Sequence, residues 1–113
     1  MRRIEGEQVL MRIFIGQTDH WHHKPLYSAL LGLFREKGLA GATVIRGVAG
    51  FGPDSVIHEA HLLRLSQDVP IVIEVVDTPE HIDAVLGEVD RMMSGGLITL
   101  EKVRVVHYER GRS

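Results

Sequence analysis

The sequence contains no cysteine, which excludes disulfide bonds, thiolate metal ligands and thiol nucleophiles. It also has no excess of basic charge, because 13 Lys and Arg residues stand against 15 Asp and Glu residues. A nearly neutral chain lacks the field that attracts nucleic acid or an anionic membrane, and we expect neither as a partner. No apolar run is long enough to cross a bilayer, and the N-terminal residues lack a signal-peptide pattern. We therefore expect a cytoplasmic protein without direct membrane insertion.

The apolar residues that are present follow regular periods. At 113 residues and 44% hydrophobic content, the chain predicts a single domain over residues 1–113. Alternation predicts strands over residues 8–16, 42–48 and 70–76. Helical spacing predicts one helix from Pro25 to a stop at Gly38, and a second from Pro79, capped by Thr78, to Met92 or Met93.

The last strand, near residues 98–105, has apolar residues on both parities. Ile98 and Leu100 fall on one face, whereas Val103 and Val105 fall on the other. A flat strand cannot bury all four against one core. We therefore expect a bulge or break near Glu101 and Lys102.

This order of elements predicts the fold class. A strand, a helix, a strand, a long connection, and then a strand, a helix and a strand, joined by right-handed crossovers, form an α+β ferredoxin-like βαββαβ plait. The prediction is a four-stranded antiparallel sheet with two helices on one face and a core over about residues 8–107. Apolar residues left on the uncovered sheet face favour self-assembly.

Five glycines are candidates for phosphate binding, since glycine lets backbone N–H groups approach a ligand closely. They are Gly47, Gly50, Gly52, Gly95 and Gly96. No Walker lysine follows Gly52 and the dinucleotide-binding fingerprint is absent, so composition alone favours simple turns.

Two histidine groups are candidates for metal binding. His20, His22 and His23 surround Trp21 in a polar stretch, and His58 and His61 lie three residues apart. A solvated loop and an exposed arm are the alternatives. No catalytic triad is visible, so we expect no enzyme activity; a weaker hypothesis has His107 or His23 acting as a base in a sheet cavity.

Several segments together resemble a known family. The chain is similar to the nitrogen-regulatory PII (GlnB-like) signalling proteins, and more closely to a PII-like family of unknown function, domain-of-unknown-function family 190. The resemblance covers roughly residues 8–107 and rests on residues 41–44, Gly47, residues 50–52, Leu65, Ser66, residues 69–76 and residues 96–97.

The resemblance implies a homotrimer that binds an adenine nucleotide in clefts between subunits. The resemblance implies no cofactor besides this adenine nucleotide ligand. The implied binding residues are Gly47, Gly50, Phe51, Gly52, Leu65, Ser66, Ser94, Gly95 and Gly96. An arm over residues 53–67 would change conformation and regulate a protein partner such as a membrane transporter.

The chain also departs from the PII pattern. Pro53 and Asp54 stand where PII proteins have a phosphate-contacting glutamine and lysine, and the loop after the second helix lacks a lysine. Arg46 and Arg64 are cations that could compensate. The alternative function is a divalent metal-binding protein of similar trimeric fold, with His58 and His61 as ligands.

Overall fold

The computed structural model describes residues 3–52 and 69–110, and eight elements lie within these ranges. They are β1 (Gly6–Gly16), β2 (His20–Trp21), β3 (Lys24–Pro25), α1 (Leu26–Glu36), β4 (Thr43–Arg46), β5 (Pro70–Asp77), α2 (Pro79–Met92) and β6 (Leu97–Val105). Four strands form one antiparallel sheet in the order β4-β5-β1-β6. The predicted ferredoxin-like plait is confirmed.

The hydrophobic core lies between one face of the sheet and the two helices. The buried residues of β1 from Met11 to Ile15 and of β5 from Ile71 to Val75 are the odd-numbered ones, because successive strand residues point to opposite sides. The helices contribute residues spaced by three or four positions, which form one apolar stripe on each helix. The buried core comprises Met11, Ile13, Ile15, Leu26, Leu30, Leu33, Phe34, Ile71, Ile73, Val75, Ile82, Val85 and Val89.

The predicted helix ends are largely confirmed. Gly38 has a φ of +75° and donates to Arg35 O at 3.2 Å, while Leu39 N–H donates to Phe34 O at 3.0 Å. This pair of bonds is a Schellman motif, which favours glycine at the left-handed position. At the start of α2, Thr78 Oγ1 accepts from His81 N–H at 3.2 Å.

Asp77 connects the end of β5 to the chain that leaves α1. Its carboxylate is fully buried and accepts hydrogen bonds from Ala40 N–H at 2.8 Å and Thr78 N–H at 2.7 Å. A buried carboxylate is tolerated where such donors replace its lost hydration. Asp77 therefore fixes the position of the segment that leads into β4.

The prediction of a bulge or break near Glu101 and Lys102 is wrong. β1 and β6 pair in one constant register from Gly6↔Val105 to Phe14↔Leu97. The strand instead contributes to both faces of the sheet. Ile98 packs against the core, whereas Val103 and Val105 are half-buried on the opposite face. Apolar residues therefore lie on both faces of this edge strand, and the strand accommodates them without a bulge.

The second predicted strand is shorter than expected, because its partner limits it. Gly47 N–H donates to Pro70 O at 2.7 Å, directly after the last ladder pair, Arg46↔Ile71. Proline has no N–H to return the second bond of an antiparallel pair. The ladder therefore ends at Arg46.

The polar stretch after β1 is more ordered than the loop that the sequence predicts. It forms a short hairpin in which His20 pairs with Pro25 and Trp21 pairs with Lys24. Asp19 anchors it, since its carboxylate accepts from Gly16 N–H at 3.0 Å and its carbonyl accepts from Leu26 N–H at 2.8 Å. Neither described helix is long and apolar enough to cross a membrane.

Candidate functional site

One end of the sheet collects the candidate glycines. β4 and β1 finish at this end, while β5 and β6 begin there. Gly47 follows β4, and Gly96 precedes β6. Because β4 and β6 are opposite edges of the sheet, three inter-strand spacings, or about 14 Å, separate the two glycine segments. A single protomer does not place both around one phosphate group.

Gly47 and Gly50 pack against the ring of Pro70. A Cβ atom added at Gly47 or Gly50 would lie 3.2 Å or 3.1 Å from Pro70 Cγ. The Gly47 N–H is already bonded to Pro70 O. The Gly47 N–H is thus already paired within the protomer, and close packing against Pro70 accounts for the lack of a side chain at Gly47 and Gly50.

Phe51 and Gly52 are more accessible. The Phe51 side chain is 76% exposed, and a Cβ atom added at Gly52 would meet nothing within 4 Å. An exposed aromatic ring next to open backbone provides a surface on which a planar base can stack. Of the Gly47–Gly52 segment, this is the part with room for a ligand.

Gly96 has a structural requirement of its own. Its φ is +108°, and an added Cβ would lie 2.4 Å from Phe14 O. Only glycine avoids both the strained dihedral angle and the collision with the β1 backbone. Ser94 is exposed and Gly95 is half-buried beside it.

The remaining predicted ligand residues, Leu65 and Ser66, lie outside the described residues, as do His58, His61, Arg64 and the arm over residues 53–67.

The hairpin histidines do not converge on a common point. His20 Nδ1 lies 2.5 Å from Thr18 O, while the His22 ring contacts Trp21 edge-on at a centroid distance of 4.4 Å. Across residues 3–52 and 69–110, no three His, Asp or Glu side chains are grouped to hold a metal ion. His23 and His107, the hypothetical bases, are exposed, and His107 pairs with Glu109.

Sequence reasoning missed two cations on β6. Lys102 and Arg104 line an open depression of about 350 Å³, together with Gly6, Glu7 and Val103. This depression lies at the end of the sheet opposite Gly96. The sequence does carry a signal for these cations. Lys102 and Arg104 alternate with Val103 and Val105, so both cations lie on the same face of β6.

The sheet face opposite the helices, called the open face below, carries an apolar row across all four strands. Ladder pairing aligns Ile45 with Val72, Val72 with Phe14, and Phe14 with Leu97. Ile45 is 43% exposed and Leu97 is 54% exposed. An apolar row that crosses a whole sheet face is typical of a protein interface.

A charged cluster lies beside this row on the open face. Arg12 Nε donates to Glu74 Oε2 at 2.8 Å, and Arg12 Nη1 donates to Glu101 Oε1 at 3.2 Å. The hydrogen bond with Glu74 is the main cause that raises the pKa of the Arg12 guanidinium. Arg12 therefore remains positively charged between two carboxylates and joins three adjacent strands.

Comparison with known protein families identifies the chain. The model of DUF190, described as "Uncharacterized ACR", matches residues 8–105. The chain belongs to the DUF190 family. A UPF0166 protein of Aquifex aeolicus is 40% identical to this DUF190 chain over 98 residues, covering 87% of the chain and 92% of that protein. A UPF0166 protein of Methanocaldococcus jannaschii is 30% identical over 97 residues, covering 85% and 89%.

Solved structures share the fold of the DUF190 chain. CPII from Thiomonas intermedia K12, bound to ADP, AMP and acetate, aligns with a TM-score of 0.64 at 13% identity, covering 93% of this chain and 94% of that one. CPII bound to ADP and bicarbonate aligns with a TM-score of 0.55 at 15% identity, covering 89% and 90%. These alignments agree with the PII-like fold expected from the sequence.

Proposed function

We propose that this DUF190 chain is a non-catalytic regulatory protein that binds an adenine nucleotide between subunits of a homotrimer. The observation that carries the proposal is the fold shared, over 93% of the chain, with CPII bound to ADP and AMP. Nucleotide binding would then control a protein partner, for example a membrane transporter. The cytoplasmic location, the partner and the role of residues 53–67 stay predictions.

The geometry supports a site between subunits. The segment with Phe51 and Gly52 and the segment with Ser94 and Gly95 lie on opposite edges of one end of the sheet. Within one protomer the two segments are too far apart to surround one ligand. A nucleotide can contact both where one segment of a subunit meets the other segment of a neighbouring subunit. The apolar row of the open face supplies a surface through which such subunits would associate.

The charges near these segments favour a nucleotide with one or two phosphates. Arg46 is exposed at the end of β4, next to Gly47, whereas the sequence continues after Gly52 with Pro53 and Asp54. Each added phosphate increases the need for a positive partner. We therefore expect AMP or ADP to bind more tightly than ATP.

Isothermal titration calorimetry with AMP, ADP and ATP tests the proposal, paired with the variants Gly52→Glu and Gly41→Glu. Both glycines have open space around an added Cβ and neither has a positive φ, so neither position requires glycine. Gly52→Glu places bulk and negative charge in the candidate site, and we expect at least a tenfold loss of ADP affinity. Gly41→Glu makes the same change at the other end of β4 and should bind ADP as the wild type does.

The same samples are examined by sedimentation velocity to determine their oligomeric state. A trimer that is retained in Gly52→Glu would assign the lost affinity to the site itself. Wild-type protein that binds none of the three nucleotides would reject the proposed function.

A further inference from the structure

The strand β6 is an edge of the sheet along its whole length. It has nine residues and pairs with β1 in a register that runs without interruption from Gly6↔Val105 to Phe14↔Leu97. Within residues 3–52 and 69–110, no strand pairs with its other side. Such an edge presents backbone N–H and C=O groups to which another extended segment can bind.

The half of β6 formed by residues 101–105 would stay open in the proposed trimer. There, the segment after β4 of one subunit meets the segment before β6 of the next, which brings β4 toward the Leu97 end of β6. β4 has only four residues, so it is too short to extend along the nine residues of β6. Residues 101–105 lie at the opposite end of the sheet from Gly96. A binding surface here is therefore separate from the candidate nucleotide site.

The two faces of this half of β6 differ in chemistry. Lys102 and Arg104 lie on the side of the sheet that carries the helices, because they share the parity of Ile98, which packs against the core. Both side chains are exposed, so neither described helix covers them. Val103 and Val105 lie on the open face and are half-buried. A strand added to this edge would meet cations on one face and valines on the other.

The one acid that lines the depression beside these cations binds them weakly. Glu7 lies on β1 directly opposite Arg104, and its Oε1 is 3.8 Å from Lys102 Nζ. The side chains of Lys102 and Glu7 are 81% and 74% exposed, and ion pairs so exposed contribute little. The open depression of about 350 Å³ around these residues has room for side chains of an added strand. The two cations are thus accessible to carboxylates of a partner.

Charge decides which strand fits this edge. Two copies of β6 paired antiparallel around Val103 would place Lys102 of one copy directly opposite Arg104 of the other, and like charges in that position are destabilising. A basic segment is disfavoured for the same reason. A segment that alternates acidic and apolar residues is favoured, because its carboxylates would face the cations while its apolar side chains pack beside the valines.

We propose that residues 101–105 of β6 bind an extended acidic segment of a partner protein, which adds a strand to the sheet. Acidic residues of this segment face Lys102 and Arg104, and the apolar residues between them face Val103 and Val105. The interaction requires no bound nucleotide, so it is tested separately from the proposed function. It specifies the chemistry of the protein partner.

Fluorescence anisotropy of the full chain tests the proposal with a labelled peptide of alternating glutamate and valine. A peptide of alternating lysine and valine is the control for charge. We expect only the acidic peptide to bind, and the double variant Lys102→Gln, Arg104→Gln to bind it about tenfold more weakly. The double variant Arg35→Gln, Arg91→Gln removes the same charge from exposed positions on the helices and should bind as the wild type does.

Strand addition differs from simple charge attraction because it requires backbone hydrogen bonds from the peptide. Two N-methylated acidic peptides, one methylated at its glutamates and the other at its valines, separate the two cases, since alternate N–H groups of a strand point to opposite sides. One of them should fail to bind, while the other binds normally. Binding of both would mean charge attraction alone and would overturn the proposal.

Three further results would overturn the proposal. They are no binding of the acidic peptide by the wild type, equal binding of the acidic and basic peptides, and unchanged affinity in Lys102→Gln, Arg104→Gln. Sedimentation velocity without peptide should give this variant the same oligomeric state as the wild type. A changed state would assign this edge to contacts between subunits instead.

Discussion

Glycines in this chain serve different purposes, and the backbone around each one decides which. Gly96 combines a left-handed φ of +108° with contact against the β1 backbone. Gly87 lies within α2, is exposed, and has open space where a side chain would be. The two residues look equally dispensable in the sequence, yet only one is required by the fold.

Replacement of these two glycines by alanine should shift stability in opposite directions. Gly96→Ala should lower the free energy of unfolding by at least about 2 kcal/mol, because it adds dihedral strain and a backbone clash. Gly87→Ala should raise it by about 0.5–1 kcal/mol, since alanine has the higher helix propensity. Urea denaturation followed by circular dichroism measures both. Equal effects of the two variants would contradict this account of Gly96.

Asp77 is the second residue whose role depends on burial. Asp77→Ala would leave the N–H groups of Ala40 and Thr78 without their acceptor. We expect a loss of about 3 kcal/mol or more in the free energy of unfolding, since hydrogen bonds to a buried charge are strong. The control is Asp83→Ala on the exposed side of α2, which should change stability by less than about 0.5 kcal/mol. A loss below 1 kcal/mol for Asp77→Ala would argue against this role.

At the scale of elements, local signals determine where helices begin and end, whereas pairing determines where strands end. α2 begins where Thr78 and Pro79 predict, and α1 is followed by the left-handed Gly38. β4 ends at Arg46 because Pro70, 24 positions later in the chain, lacks the N–H that would continue the ladder. A partner so distant in sequence is not visible in the local pattern of residues 42–48.

The capping hydroxyl of Thr78 provides a test at this scale. Thr78→Ala removes the acceptor for His81 N–H and should lower the free energy of unfolding by about 1 kcal/mol. Thr78→Ser keeps a capping hydroxyl and should restore most of this loss. Thermal unfolding of the three proteins makes the comparison. If serine is no better than alanine, the hydroxyl does not cap α2 in solution.

At the scale of the whole molecule, the open face is the main surface that the fold leaves uncovered by its helices. The helices cover one side of the sheet, while the row of Ile45, Val72, Phe14 and Leu97 remains on the other. Arg12 with its two glutamates gives this face a charged region beside the apolar row. A surface with apolar and charged parts can fix the orientation of a partner as well as bind it.

A charge introduced into the apolar row should separate the subunits of the proposed trimer. Leu97 is already 54% exposed in the protomer, so Leu97→Asp should fold normally but disfavour burial against a second copy. Val48→Asp makes a similar change at a side chain that is 88% exposed and lies outside the sheet. Sedimentation velocity should show a monomer for Leu97→Asp and a trimer for Val48→Asp and the wild type. An unchanged Leu97→Asp trimer would place the interface elsewhere.

The sequence by itself determined the order of the main elements and hence the plait, because helix and strand periods and the signals at Thr78 and Gly38 are local properties. It also carried the resemblance that the family match confirms. Only the tertiary structure decided that the Gly47 N–H is occupied by Pro70 and that β6 needs no bulge. These features depend on contacts between residues far apart in the chain, and such contacts follow from register and packing, which no local pattern encodes.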